Sequence, residues 1–448
     1  MVNVEELAYL PGQAYTFLEA DALADTMGSK PGDYFSGFLN IGTIGVVDSS
    51  YNVTLNRDNN LGALDSDQTA IYNSLDTIYN NTDEAGKARV GKLYSLGVEK
   101  GKEALTDMST GAATDTAPVM RQSSVMTALA ARHRYLTHQA NVPVTIPMGS
   151  LVNHFAATSP KPSASTVDPG LDMIVPVELS EGGGLWFKFA KGWGSYGKGD
   201  TTGNGFTTTV GADFPVSPQW KLGALFSYSN ESYGGKRDHR DTKDSRFGVY
   251  GDWRMGPQSA FLYIGGGWQK HDQKRHFYAG DHYNANGDYS SNTIEFDGRY
   301  TYDLSYENKG WHHKPFVSFQ AVHYRQGSYS ETGAFEFGQA VDSGSSTYTA
   351  ATVGWDFARD FGKDGYLEFE LGLMQTLGGD NPSYTARLVG GGEKFTIRSA
   401  SMDKTRVVAG VYGSQAINDR WRIGAEVGLA QGAHDQDVTA SLSLRYSW

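Results

Sequence analysis

The 448-residue chain has no cysteine, which excludes disulfides and thiolate metal sites. No window holds the roughly 18–20 consecutive apolar residues that a membrane helix needs, so a helical membrane protein is excluded too. A membrane β-barrel stays open, because its apolar residues are spread out by alternation. Positive charge is in deficit: 38 Lys and Arg against 50 Asp and Glu leave a net charge of −12, which argues against a nucleic-acid partner. The opening MVNVEELAYLPGQAY lacks the basic and apolar regions of a secretory signal. Residues 1–57 read instead like the end of something longer.

Catalytic signatures are also missing. There is no HExxH, GxSxG or P-loop. His133 and His138 are five apart and share no helix face, a poor metal pair. DHYNANGDYSS (281–291) echoes a calcium loop, but counted from His282 its first ligand position is His and its twelfth is Thr. A surface loop is the better reading. The runs GGGLW and GGGEK have no strand–GxGxxG–helix setting and read as loop or barrel glycines. The expectation is a protein without enzymatic activity, cofactor or metal.

What is present is alternation. In the terminal stretch VTASLSLRYSW, Val438, Ala440, Leu442, Leu444, Tyr446 and Trp448 share one parity and Thr439, Ser441, Ser443, Arg445 and Ser447 the other. Successive side chains of a strand point to opposite faces, so this is one strand with an apolar and a polar side. Eleven more such segments precede it, near 184–196, 203–214, 220–230, 243–255, 260–275, 291–306, 314–326, 346–360, 366–377, 403–416 and 420–431. Glu295, Asp297 and Arg299 oppose Ile294, Phe296 and Tyr300; Glu368 and Glu370 oppose Leu367, Phe369 and Leu371; Arg422 and Glu426 oppose Trp421, Ile423 and Val427.

Three features favour a membrane barrel, apolar outside and polar within, over a soluble sandwich. The segments are long enough to cross a bilayer when tilted. Aromatics recur near segment ends: Trp220, Trp253, Trp268, Trp355, Trp421 and Trp448. Short connections (PVSPQ, GPQS, ENKGWHH, FGKDG, INDR) alternate with connections that include long ones, such as NESYGGKRDHRDT and the stretch from Met374 to Met402. The last strand must then pair with the first to leave no edge in lipid. The lumen-facing candidates are Glu295, Asp297, Arg299, Glu368, Glu370, Arg422 and Glu426.

Ahead of the barrel, AYTFLEA (14–20) and SYNVTLNR (50–57) are β-like. Ile71, Leu75 and Ile78 have helical spacing after a cap at Asp65 or Ser66, and Val90, Leu93, Leu96 and Leu105 suggest a second helical stretch. A third starts after Pro118, with Val125, Leu129, Arg132 and Leu136 on one side. From Pro118 to His138 it carries Arg121, Arg132 and Arg134 and no acid. Residues 139–183 look like an extended connector. If the basic helix plugs the lumen, its arginines can pair with the inward acids.

In this order the segments resemble the translocator unit of autotransporters, the single-chain type V secretion system. PGQAYTFLEA and YNVTLNRD look like the closing, autochaperone part of a passenger. LTDMSTGAATDTAPVMRQSSVMTALAARHRYL (105–136) resembles the helical stretch before the barrel, GGLWFKFAKGWGSYG the first barrel strand and SLRYSW the last. The resemblance implies an all-β transmembrane barrel of 12 antiparallel strands (184–448), preceded by a β-helix-like passenger end (1–57), an α-helical segment (58–138) and a connector (139–183) partly in the lumen. It also implies a monomer in the bacterial outer membrane that exports its own passenger to the cell surface. Its expected partners are outer-membrane lipid and the barrel assembly machinery, with Tyr446 and Trp448 as the C-terminal insertion signal. Some members of this family cut their own passenger at two adjacent asparagines in the helix just before the first strand. Here the pairs are Asn59–Asn60 and Asn80–Asn81, far upstream, while Asn141 and Asn153 are solitary. The alternative is a stand-alone porin-like channel or adhesin barrel.

Overall fold

Twelve alternating segments become twelve strands that close on themselves. A computed structural model of the chain describes residues 12, 14–19, 36–47, 50–110, 131–132, 183–197, 201–235, 237–306, 310–361, 365–400 and 402–448. Arg121, Arg134, His133, His138, Asn141, Asn153 and all but the last residue of the 139–183 connector lie outside the described residues.

The barrel consists of β4 (Gly184–Tyr196), β5 (Thr201–Pro215), β6 (Trp220–Gly234), β7 (Asp238–Met255), β8 (Gln258–Tyr278), β9 (His282–Tyr302), β10 (His312–Gln326), β13 (Gly344–Phe361), β14 (Gly365–Gly378), β17 (Thr405–Ala416), β18 (Trp421–Gln431) and β19 (Gln436–Ser447). Each pairs antiparallel with the next. β19 closes on β4 with Leu444 opposite Phe187 and Tyr446 opposite Leu185. The polarity is inverted relative to a soluble protein. Ile294 is 67 % exposed and Phe247, Leu371 and Val427 are also outside, while Arg246, Glu295, Arg299 and Arg406 are buried. An apolar outer belt and a charged interior suit lipid around and polar contents within.

Three connections differ from the sequence expectation. NESYGGKRDHRDT is not a long loop: β6 continues through it to Gly234 and β7 takes over from Asp238. DHYNANGDYSS is likewise the first half of β9, paired with β8 along its length. The apolar alternation fades there because the outer face carries Asn284, Asn286, Asp288 and Ser290, while Tyr283, Ala285 and Tyr289 still point inward and are buried. These strands extend past the belt, where outward residues meet water. The stretch from Met374 to Met402 holds the end of β14, then β15 (Ser383–Leu388) and β16 (Phe395–Arg398). With β11 (Tyr329–Ser330) and β12 (Gln339–Val341) these form a small sheet at the long-loop end.

The N-terminal part docks on that sheet. β1 (Ala14–Glu19), β2 (Leu39–Val47) and β3 (Ser50–Arg57) pair antiparallel in the order β1-β3-β2. β2, LNIGTIGVV, was not apparent from the sequence. Helices α1 (Ser66–Asn81), α2 (Glu84–Tyr94) and α3 (Val98–Ser109) follow. Asp65 caps α1 in a reciprocal box with Gln68, satisfying otherwise orphan amide groups. The second helical stretch splits at Gly97, whose poor helix propensity and N-cap position allow α2 and α3 to turn away from each other. One apolar core runs through both parts. Phe38, Ile71, Leu75, Ile78, Leu93 and Leu105 of this cap share it with Tyr283, Phe337, Val341, Ile397 and Met402 of the barrel's long-loop end.

Ile71 is fully buried in this shared core. Ile71→Ala should cost the cap about 2–5 kcal/mol. Amide exchange in α1 should accelerate while the barrel keeps its heat-modifiable gel migration. Simultaneous loss of both would show that cap and barrel unfold as one unit.

Candidate functional site

Parity puts the charges of β4–β19 into the lumen, where each must find a partner because water is restricted. Lys188 Nζ donates to Glu426 at 2.6 Å, and the Arg445 guanidinium grips Asp213 through two bonds of 2.7 and 2.9 Å. Arg246 pairs with Asp244 at 2.6 Å and also with Glu295. Arg299 bonds Glu370 at 2.6 Å and also Asp356, and Lys314 bonds Glu368 at 3.0 Å. Arg422 donates to Ser414 Oγ at 3.2 Å, and Asp297 lines the same cavity as Arg299, Glu368, Glu370 and Glu426.

Arg132 belongs to that cavity as well, although it precedes the barrel in sequence. Its guanidinium lies 3.4 Å from Glu370 Oε2. Beside it, Ala131 is fully buried among Trp186, Leu225, Tyr250, Phe261 and Tyr263 of the barrel wall. Both residues are helical. Within this cluster the cations Arg132, Arg299 and Lys314 face the carboxylates Asp356, Glu368 and Glu370. Local charge balance therefore includes a residue from outside the barrel. The arrangement can hold a strand of chain in place by ion pairing; among the described residues no group of three or more His, Cys, Asp or Glu side chains is arranged to hold a metal.

The long-loop end carries a second set of contacts, which periodicity did not signal. Glu336 sits in a short 3-10 turn, Phe335–Phe337, where Phe335 takes φ 51°, a left-handed value that is rare for an aromatic residue. Its carboxylate accepts from Arg89 Nε at 2.8 Å and Nη2 at 2.5 Å, and from Thr82 Oγ1 at 2.9 Å. Burial by itself would raise the Glu336 carboxyl, but Arg89 and Thr82 hold it below the usual range. Asp67 accepts from Thr396 N at 2.9 Å and from Arg398 at 2.7 Å, and Gln339 Nε2 donates to the Met108 carbonyl at 2.7 Å. Gly392, at φ 103°, leaves room for the Ser74 side chain pressed against it.

At the opposite, short-turn end, Tyr446 packs its ring 5.0 Å from that of Trp421. The Trp448 backbone amide meets the Gly183 carbonyl at 3.3 Å, fastening the C-terminus beside the start of β4.

The profile of the family described as Autotransporter beta-domain matches residues 185–428, more than half of the chain. The chain belongs to the autotransporter β-domain family. The translocator domain of the autotransporter NalP from Neisseria meningitidis shares the fold, with a TM-score of 0.51 and 14 % identity over 61 % of this chain and 90 % of that one. The β-domain of the Bordetella autotransporter BrkA has a TM-score of 0.45 and 16 % identity, covering 59 % of this chain and 99 % of its own. The transport unit of AIDA-I from Escherichia coli gives 0.41 and 14 %, covering 62 % and 94 %. No curated protein sequence matches significantly. The autotransporter β-domain is a transmembrane barrel of the bacterial outer membrane, so the belt faces lipid.

Two outcomes test the site. Glu368→Lys with Glu370→Lys turns two of the three carboxylates that face Arg132, Arg299 and Lys314 into further cations, and single-channel conductance in planar bilayers should rise as Arg132 is repelled; unchanged conductance would show that Arg132 does not help to close the pore. The Glu336 carboxyl is lowered in the folded state, so its contribution is complete above the ordinary glutamate value and is lost as pH falls through the lowered one. Spin labels at Asn80 and Lys394 should move apart once the pH falls below the ordinary glutamate range. Glu336→Gln should abolish that pH step.

Proposed function

We propose that this β-domain carries the segment N-terminal to it across the outer membrane and keeps the last part of that segment on the cell surface. The supporting observation is the position of three points on one chain. Thr110 lies at the long-loop end, where its carbonyl accepts from Gln339 Nε2 at 3.2 Å; Ala131 and Arg132 lie in the lumen; Gly183 lies at the short-turn end beside Trp448. A path from cap to first strand through the barrel is what export through the pore leaves behind. In outer-membrane barrels the short turns face the periplasm and the long loops the exterior, which supports a cap on the outside.

The reading has no enzymatic step. Asn59–Asn60 and Asn80–Asn81 belong to the cap, with Asn60 bonded to the Ser36 carbonyl at 2.9 Å, and they are remote from the lumenal carboxylates. Its partners are the exported segment itself, outer-membrane lipid and the assembly machinery that would read Tyr446 and Trp448; the barrel acts as a monomer, without nucleic acid or cofactor. The deciding experiment is protease shaving of intact cells expressing the chain with an epitope at residue 2. Loss of the epitope with survival of a heat-modifiable barrel fragment is the expected result. An epitope protected until the outer membrane is permeabilised would replace export with a stand-alone channel.

A further inference from the structure

The outer wall of β7–β10 gathers charge above the belt, where β13–β19 carry none and the outward Lys191 of β4 is bonded to Asn204 Oδ1 at 3.0 Å. Above the belt, toward the long-loop end, the exposed outward residues on β13–β19 include Ser345, Thr347, Gln375, Thr405, Gln431 and Gln436, all uncharged. On β7–β10 the register aligns two rows. The first contains Tyr228, Ser245, Trp268, Asn292 and Arg325, each opposite the next. The second, one outward step higher, contains Asn230, Lys243, Lys270 and Ser290.

Three observations make this a site. Lys243 and Lys270 are directly opposite, a like-charge pairing that is destabilising unless an anion lies between them. Among the described residues, Lys243, Lys270 and Arg325 make no ion pair or hydrogen bond, and all three are exposed. They border one groove in the outer wall whose lining includes Trp268, Ser290 and Asn292.

The level of the groove identifies the ligand. Trp268 is 64 % exposed and, with Tyr228, tops the apolar belt that descends through Phe226, Phe247 and Ile294. Exposed Trp and Tyr mark the interface between hydrocarbon and headgroups. The next row, about 7 Å along the strands, stands at headgroup depth. One further step carries Asp241, Asp272 and Asp288 side by side, so a row of acids borders the three cations on the side away from the belt. Asp241 pairs with His239 at 3.3 Å and not with either lysine.

We propose that Lys243, Lys270 and Arg325 bind the phosphate-bearing headgroup of a lipid in the outer leaflet, with Trp268 against its acyl chains and Ser290 and Asn292 available to its hydroxyl groups. This shares with the proposed function only the orientation of the barrel and does not depend on export.

Native mass spectrometry of the purified full chain in detergent tests it, using bisphosphorylated lipid A, the phosphate-free form of the same lipid, and inorganic phosphate at equal concentration. The chain should retain bisphosphorylated lipid A and neither of the others. Lys243→Gln with Lys270→Gln and Arg325→Gln should weaken retention on the order of a hundredfold. Lys270→Gln alone relieves the like-charge pair, so its fold is secure, and it should weaken retention about fivefold. Equal binding by the variants, or of the phosphate-free lipid, overturns the proposal. So does retention of inorganic phosphate without lipid, which would make the groove a site for free anions.

Discussion

Everything in this molecule depends on one constraint: inside hydrocarbon, each backbone N–H and C=O must be bonded within the protein. A sheet meets it only by closing, so the decisive contact is between the two ends of the barrel sequence, β19 on β4. Closure also fixes register. A slip of one residue would turn every side chain of a strand to the other face, placing Arg445 in lipid and Leu444 in the lumen. The terminal Trp448, bonded to the Gly183 carbonyl, secures that seam at its short-turn end.

Closure with an apolar exterior leaves the polar residues inside, and their charges then dictate what the lumen accepts. Bringing a charge out of water costs several kcal/mol per ion, and removing one member of a buried pair costs about 3–5 kcal/mol. The pairs Lys188–Glu426, Arg445–Asp213 and Arg246–Asp244 are internal to the wall. The cluster around Glu370 is different: Arg299 and Lys314 from the wall face Asp356, Glu368 and Glu370, and the third cation is Arg132. A barrel emptied of that residue would leave an excess carboxylate facing a confined space. The wall is therefore electrostatically complementary to Arg132.

The strands were legible because lipid on one side and a polar lumen on the other enforce period two, and all twelve segments of the sequence match a strand. The lumenal side chains Glu295, Glu368 and Glu426 could be named because parity alone decides them. Legibility stops where the two solvents become one. Past the belt, β8 and β9 keep their pairing but the outward face becomes polar, with Asn284, Asn286, Asp288 and Ser290 in place of the belt's apolar residues, so Asn284 to Ser290 read as a loop although backbone bonding holds them as a strand. The contacts of the cap were not legible either. Arg89 and Glu336 are 247 residues apart, and neither has a local feature that marks it. Arg132 was singled out by the absence of nearby acids, which pointed to the inward carboxylates as a class but could not single out Glu370 among them. β2 was missed because its glycines interrupt the alternation of LNIGTIGVV.

The cap bears on how export would proceed. Three packed helices are far wider than the single helix of about 10–12 Å that a lumen of this size admits. On the export reading, α1–α3 therefore cross unpacked and assemble only where β11, β12, β15 and β16 await them. Isolated helices of 11–16 residues are marginal in water, so little helical structure resists the passage. The free energy appears on arrival, when Phe38, Ile71, Leu75 and Leu105 enter a core half supplied by Phe337, Val341 and Ile397. If the cap lies outside, as on that reading, its stabilising partner stands on one side of the membrane only, and folding of the cap would oppose return through the pore without any external energy source. The barrel would then act both as the conduit and as the template that makes passage one-way.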